Sequence, residues 1–292
     1  MHKAGFVSIV GNPNVGKSTL MNLFVGERIS IATFKAQTTR HRILGIVSKD
    51  DYQIVFSDTP GVLKPNYKLQ ADMLAFSESS LDDADILLYV TDTVEDASKN
   101  SDFIEKVSKL SIPIIVLINK IDLATQQKVE ALVEQWHELL PTAEIIPLSA
   151  KARFNIDHVM QRIVELLPES PSYFPDDRLT DKPARFIVSE IIREKILLYY
   201  DKEIPYAVEV AVTEFKDTPA LLRIAATIYV ERESQKGILI GHRGVALKRV
   251  GSEARRDIQA FFQKKVFLQL LVKVDANWRN SQKSLEAFGY EQ

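Results

Sequence analysis

The stretch Gly11-Asn12-Pro13-Asn14-Val15-Gly16-Lys17-Ser18-Thr19 carries the spacing G-x-x-x-x-G-K-[ST]. Before it, Phe6-Val7-Ser8-Ile9-Val10 is a short apolar run that predicts a buried strand. After it, Leu20-Met21-Asn22-Leu23-Phe24 predicts the opening turns of a helix. A loop between a strand and a helix gathers backbone N–H groups at the positive end of a helix dipole, and that point attracts phosphate. Gly11 and Gly16 let the main chain approach an anion with no Cβ in the way. Lys17 reaches the terminal phosphates, and the Ser18 hydroxyl is placed to hold Mg²⁺. The loop points to a nucleotide without saying which one.

The length of 292 residues predicts about two domains, each able to bury its own core. Apolar residues make up 46% and charged residues 26%, the balance of a globular protein in water. The chain has no cysteine, which excludes disulfides, thiolate metal sites and a cysteine nucleophile. No apolar run approaches the roughly 20 residues that cross a bilayer, and the N-terminus has no secretory pattern, so a cytoplasmic protein is expected. The net charge of −2 hides an asymmetry: residues 180–292 carry 19 Lys and Arg against 15 Asp and Glu. Residues 232–265 alone hold nine basic side chains and three acidic ones, which suggests a polyanionic partner for the second half.

Outward from the loop, a polar stretch over residues 26–40 runs into Gln37-Thr38-Thr39-Arg40-His41. Strands predicted over 43–47 and 52–57 are joined by Lys49-Asp50-Asp51, a connection short enough for an antiparallel pair. The second strand ends in Asp58-Thr59-Pro60-Gly61, where an acid at a strand's carboxyl end can hold Mg²⁺ and a glycine N–H can meet the terminal phosphate. The apolar runs 85–92 and 113–118 read as central parallel strands, and the second opens into Asn119-Lys120-Ile121-Asp122. A helix over about 125–140, a strand over 144–147 and then Ser149-Ala150-Lys151 follow. Every polar motif falls at the carboxyl end of a strand, where open α/β sheets bind ligands.

Gly11 to Ser18, Asp58 to Gly61, Asn119 to Asp122 and Ser149 to Lys151, in that order, resemble the motifs of the P-loop GTPases over roughly residues 4–170. Chemistry supports the likeness: guanine offers an N1–H and a 2-amino donor to the Asp122 carboxylate, and adenine would leave that carboxylate unpaired. The resemblance implies that Lys120 covers the base, that the Ala150 N–H meets its O6, and that Val15, Thr19, Thr59 and Ile121 belong to the nucleotide-contacting motifs. Catalysis is then positioning and electrostatics from Lys17, Mg²⁺ and the loop amides, including Gly61, with no covalent intermediate. The pattern Q-T-T-R-H resembles switch I of the Era-like GTPases, which assigns Thr39, with Thr38 as second candidate, to close over Mg²⁺. Val62 stands where Ras-like members carry a water-orienting Gln, so slow intrinsic turnover is expected. Asn14 resembles a residue that binds K⁺ in some GTPases of this branch, and residues 62–80 correspond to switch II.

Residues 168–177 are too rich in proline and acid for a helix or a central strand and read as a semi-rigid linker, placing domains at 1–170 and 183–292 with a linker over 171–182. Beyond it, a helix over 186–200, strands over 206–215 and 222–230, two helix-like segments around Gly241-His242-Arg243-Gly244, and a strand over 266–274 give the order α-β-β-α-α-β. That order, the G-x-x-G loop and the nearby Lys236, Lys248 and Arg249 resemble a type II KH domain, whose glycines let an RNA backbone pass close. Trp278 and Phe261-Phe262 are expected in its core.

A GTPase with Q-T-T-R-H in switch I followed by one KH domain resembles the Era family over nearly the whole chain. The resemblance implies a monomer that binds GTP and GDP with Mg²⁺ as cofactor, and Asn14 offers K⁺ a site. It further implies binding near the 3′ end of 16S ribosomal RNA, a role in small ribosomal subunit assembly, and peripheral contact with the cytoplasmic face of the plasma membrane. A GTPase whose second domain docks protein or membrane lipid is the alternative expectation.

Overall fold

The computed structural model describes residues 2–62, 64–95 and 100–290. The chain divides into two compact units, residues 1–65 with 73–181, and residues 66–72 with 182–292.

The first unit is built on a six-stranded sheet in the order β2-β3-β1-β4-β5-β6. Its strands are β1 (Lys3–Gly11), β2 (Ile43–Ser48), β3 (Tyr52–Asp58), β4 (Ile86–Asp92), β5 (Ile114–Asn119) and β6 (Glu144–Pro147). Only β2 runs antiparallel to its neighbour, as its three-residue connection to β3 requires. β4 and β5 are buried along their full length, which explains their unbroken apolar sequences. Helices α1 (Lys17–Val25), α2 (Lys68–Asp82), α3 (Ser101–Ser108), α4 (Gln126–Leu139) and α5 (Ile156–Leu166) follow β1, β3, β4, β5 and β6 in turn. Thr125, the first residue of the expected helix, is the N-cap of α4 and accepts from the Lys128 N–H.

The connector does not hang between domains. Ile46 N–H donates to Leu179 O at 2.9 Å, and Leu44 N–H to Asp181 Oδ1 at 2.8 Å, so residues 179–181 run along the open edge of β2. The buried Gln53 amide holds the preceding turn, accepting from the Tyr173 and Phe174 N–H groups at 2.7 and 3.0 Å and donating to Phe174 O at 2.8 Å. The compact first unit therefore extends through Asp181, beyond the end expected at residue 170.

The second unit orders its strands β7 (Glu209–Asp217), β8 (Leu222–Val230) and β9 (Val266–Val274), with β7–β8 antiparallel and β8–β9 parallel. Helices α6 (Ala184–Tyr199), α8 (Glu233–Ile240) and α9 (Val245–Phe262) cover a core that includes Ile192, Ile196, Ile224, Ile228, Val250 and Ile258. Residues 206–208 are not strand as expected: Pro205 sits in the first turn of a short helix α7 (Ile204–Ala207), where its missing N–H costs nothing. Trp278 is fully buried and donates its Nε1–H to Ala207 O, whereas Phe261 is 41% exposed and only Phe262 packs on the core. A last helix, α10, covers Gln282–Ala287. Among the described residues no helix is long and apolar enough to cross a membrane.

Candidate functional site

At the carboxyl ends of β1, β3 and β5 the expected motifs converge on a cleft of about 600 Å³. Its wall includes Pro13, Asn14, Gly16, Lys17, Ser18 and Thr19 from the first loop, Thr38 and Thr39, Gly61, then Asn119, Lys120, Asp122, Ala150 and Lys151. The glycines have steric reasons to be glycine. A Cβ on Gly11 (φ 143°) would lie 2.1 Å from Val90 O, one on Gly16 (φ 106°) 2.2 Å from Asn119 Nδ2, and one on Gly61 2.7 Å from Pro13 N. Gly16 also contributes no capping side chain to α1, which leaves the first-turn amides open to an anion.

Lys17 folds onto the loop, donating to Gly11 O at 3.0 Å and Asn12 O at 2.8 Å. Burial pulls its pKa down to about 8, against the attraction of Asp58 and Glu95. Asp58, also fully buried, is pushed upward by burial, partly offset by the Ser18 hydroxyl, the Lys17 charge, and the Ser30 and Thr39 hydroxyls. Ser18 Oγ and Ser30 Oγ each donate to Asp58 Oδ2 at 2.7 Å, and Thr39 Oγ1 lies 2.7 Å from Ser18 Oγ. The other carboxylate oxygen, Asp58 Oδ1, is buried with no hydrogen-bond partner. Of the two threonines, Thr39 is the one at this cluster; Thr38 bonds instead to Lys35 O and Thr33.

Asn119 ties three loops together. Its Nδ2 donates to Val15 O at 2.8 Å while its Oδ1 accepts from the Lys120 and Ala150 N–H groups at 2.8 and 3.0 Å. The Ala150 N–H expected at guanine O6 thus already has a protein acceptor. Asp122 is exposed, with Oδ1 held by the Ser149 hydroxyl at 2.7 Å. Lys120 Nζ donates to Asn14 O and to Asp92 Oδ2, both at 2.6 Å. Several expected residues stand behind the wall. Thr59 Oγ1 donates to Ile9 O, Pro60 O accepts from Ser77, and the Ile121 N–H donates to Leu148 O. Val62 turns away: its N–H meets Gly11 O at 3.1 Å and its side chain enters the core beside Val10 and Leu81, which removes it as a side-chain contact of the cleft. Leu63, inside the expected switch II, lies outside the described residues.

In the second unit Gly241, His242, Arg243 and Gly244 form a tight turn between α8 and α9. Three of the four have positive φ, and a Cβ on Gly241 would meet Ala246 Cβ at 2.6 Å. On one side of it Gly244, Leu247, Lys248, Arg255, Leu268 and Leu270 line a groove of about 490 Å³ between α9 and β9. The cations expected to act together do not share one face. Lys248 lines this groove, Arg249 stacks on the Tyr199 ring outside it, and Lys236 lies 3.7 Å from Glu233.

A family model described as 50S ribosome-binding GTPase matches residues 6–120, and a KH domain model matches residues 203–279. GTPase Era of Clostridium kluyveri is 43% identical over 293 residues, covering 100% of both chains. The chain belongs to the Era family of GTPases. GTPase Era of Staphylococcus epidermidis is 44% identical over 99% of this chain and 97% of its own. Among solved structures, Era in complex with MgGDPNP and nucleotides 1506–1542 of 16S ribosomal RNA matches with a TM-score of 0.96 at 37% identity over 100% of both chains. A point variant of Aquifex aeolicus Era bound to GDP·AlF4⁻ matches with a TM-score of 0.95 at 38% identity, over 99% of this chain and 100% of its own.

As an Era-family GTPase the chain hydrolyses GTP, and its P-loop domain is followed by a KH domain. Three residues around the cleft escaped the sequence. Asn22, inside α1, accepts from the Ile29 and Ser30 N–H groups at 2.9 and 3.0 Å and so fixes Ser30 on Asp58. Nothing in the local sequence marks either residue. Asp92 did carry a signal, since it ends β4 as Asp58 ends β3.

Proposed function

We propose that this chain is a guanine-nucleotide switch that binds the 3′ region of 16S ribosomal RNA and assists assembly of the small ribosomal subunit. The observation that carries the reading is the convergence of the four GTPase motifs on one cleft in a chain that also presents a G-x-x-G groove. The full-length likeness to Era solved with 16S ribosomal RNA supports the choice of RNA. Asp122, anchored through one oxygen by Ser149, would accept from the guanine N1–H and 2-amino group, and Lys120, on the same cleft wall, would cover the base. The loop amides and the Lys17 ammonium meet the charge that develops on the transferred phosphoryl group.

The donor set fits Mg²⁺. Asp58 Oδ1 is a buried carboxylate oxygen with no partner, the hydroxyls of Ser18 and Thr39 meet the other oxygen of the same carboxylate, and hard oxygen donors suit this cation. Bound there, Mg²⁺ would neutralise charge on the β- and γ-phosphate oxygens. Val62 is turned into the core and cannot orient the attacking water, so slow unassisted turnover follows, with Asn14 at the cleft rim offering a K⁺ site in place of an arginine. Hydrolysis rates equal in potassium and sodium chloride would remove the K⁺ role.

The test is binding of a 3′-terminal 16S RNA fragment to the GTP-loaded chain and to the Gly241→Asp, Gly244→Asp double variant. Loss of RNA binding with nucleotide binding intact is expected. Full RNA affinity in the variant, or binding of anionic vesicles in preference to RNA, would refute the reading.

A further inference from the structure

The side of the G-x-x-G turn away from the α9/β9 groove holds a second depression, of about 530 Å³. It is lined by Tyr199 and Tyr200 at the end of α6, His242 of the turn, and Val245, Ala246 and Arg249 of α9. Its walls are set firmly: the Tyr200 hydroxyl donates to Leu239 O at 2.6 Å, and Val250, next in sequence to Arg249, is fully buried in the core. Its surface is not that of an ordinary helix junction. Val245 is 66% exposed, and the Arg249 guanidinium carbon lies 4.0 Å from the centroid of the Tyr199 ring, stacking a planar cation on an aromatic face. Among the described residues no acid lines the depression.

We propose that this depression is a second base-binding subsite, which takes an unpaired base of the RNA strand beyond the nucleotides in the α9/β9 groove and stacks it on the Arg249–Tyr199 pair. The proposal rests on the RNA reading above. Single-stranded bases are held by stacking on aromatic rings and guanidinium planes, while cations follow the phosphates; Arg249 and Tyr199 supply the stacking surface, and Lys248 in the neighbouring groove supplies a cation for the strand that leads to it. Only the turn separates the two depressions: Gly244 belongs to the groove and His242 to the second site, so a strand crossing the turn passes from one to the other. If the stack served only to fix α6 on α9, nothing would call for the exposed valine or the absence of acids.

The experiment measures affinity of the full chain for a 12-nucleotide single-stranded RNA from the 3′ end of 16S ribosomal RNA, and for the same RNA with an abasic site at each position in turn. A KH groove holds about four nucleotides, so a run of about four costly positions is expected in it. The subsite adds one further costly position outside that run, worth about tenfold in Kd. Arg249→Ala and Arg249→Lys should each lose that tenfold on intact RNA and become indifferent to the abasic site there, because Lys keeps the charge but not the plane. Val245→Asp, at an exposed position, should give the same loss. The proposal is overturned if Arg249→Lys binds as the wild type, or if the extra cost persists in the variants. Four costly positions with no fifth overturn the subsite alone, whereas failure to bind intact RNA overturns the RNA reading and the subsite together.

Discussion

Lys17 makes nucleotide affinity depend on pH in a way the structure sizes. Its ammonium is buried on the carbonyls of Gly11 and Asn12, with a pKa of about 8 instead of 10.5. An approaching phosphate brings back the negative charge that burial withholds, so the bound form keeps its proton above pH 8 while the free form loses it. The charged fraction of the free protein falls about tenfold between pH 7 and pH 9, and GDP affinity falls by the same factor. Binding then takes up about half a proton at pH 8 and nearly one at pH 9. The sign for folding is opposite: the unfolded chain holds the extra proton between pH 8 and 10.5, so stability gains about 3 kcal/mol from this group as pH rises through that window. Calorimetric titration of GDP in buffers of different ionisation enthalpy reads the proton uptake directly. Lys17→Arg, which stays charged, should flatten the profile. Affinity constant from pH 7 to 9 with no proton uptake, or an unchanged profile in Lys17→Met, would refute the assignment.

Three further outcomes are expected. Asn119→Ala strands one carbonyl and two N–H groups and should cost about 3 kcal/mol of stability, lowering GTP and GDP affinity alike; an effect on GTP only, in mant-nucleotide titrations, would contradict it. Asp92→Asn removes the 2.6 Å ion pair to Lys120 while keeping an acceptor for the Val94 and Glu95 N–H groups. Nucleotide affinity should drop about fivefold with kcat unchanged, and a drop that persists in a Lys120→Met background would show that Asp92 does not act through Lys120. Gln53→Ala should release residues 173–174 from β3, read as faster amide hydrogen exchange at those residues with nucleotide affinity unaltered. Unchanged exchange would mean the Gln53 amide does not hold the strap.

What the sequence determined by itself follows from local rules. Strand, loop and helix around Gly11–Ser18 are a contiguous device, so spacing alone located the phosphate cradle, and the helix N-terminus explains why. The apolar continuity of β4 and β5 announced a parallel sheet because both faces are buried, and the α-β-β-α-α-β order survives in the second unit with α7 inserted and α10 following the last strand. What only the tertiary structure decided are contacts between residues far apart in the chain. Ser30 reaches Asp58 because Asn22 folds the intervening loop, and Lys120 is held by Asp92 across the β4–β5 pair. The proline-rich connector satisfies the unpaired N–H groups of edge strand β2 instead of spanning free. Helical geometry sets Lys248 and Arg249, adjacent in sequence, about 100° apart around α9, which sends one to the groove and the other to the Tyr199 stack. Composition and spacing carry no record of such directions, because they arise only when separate elements pack together.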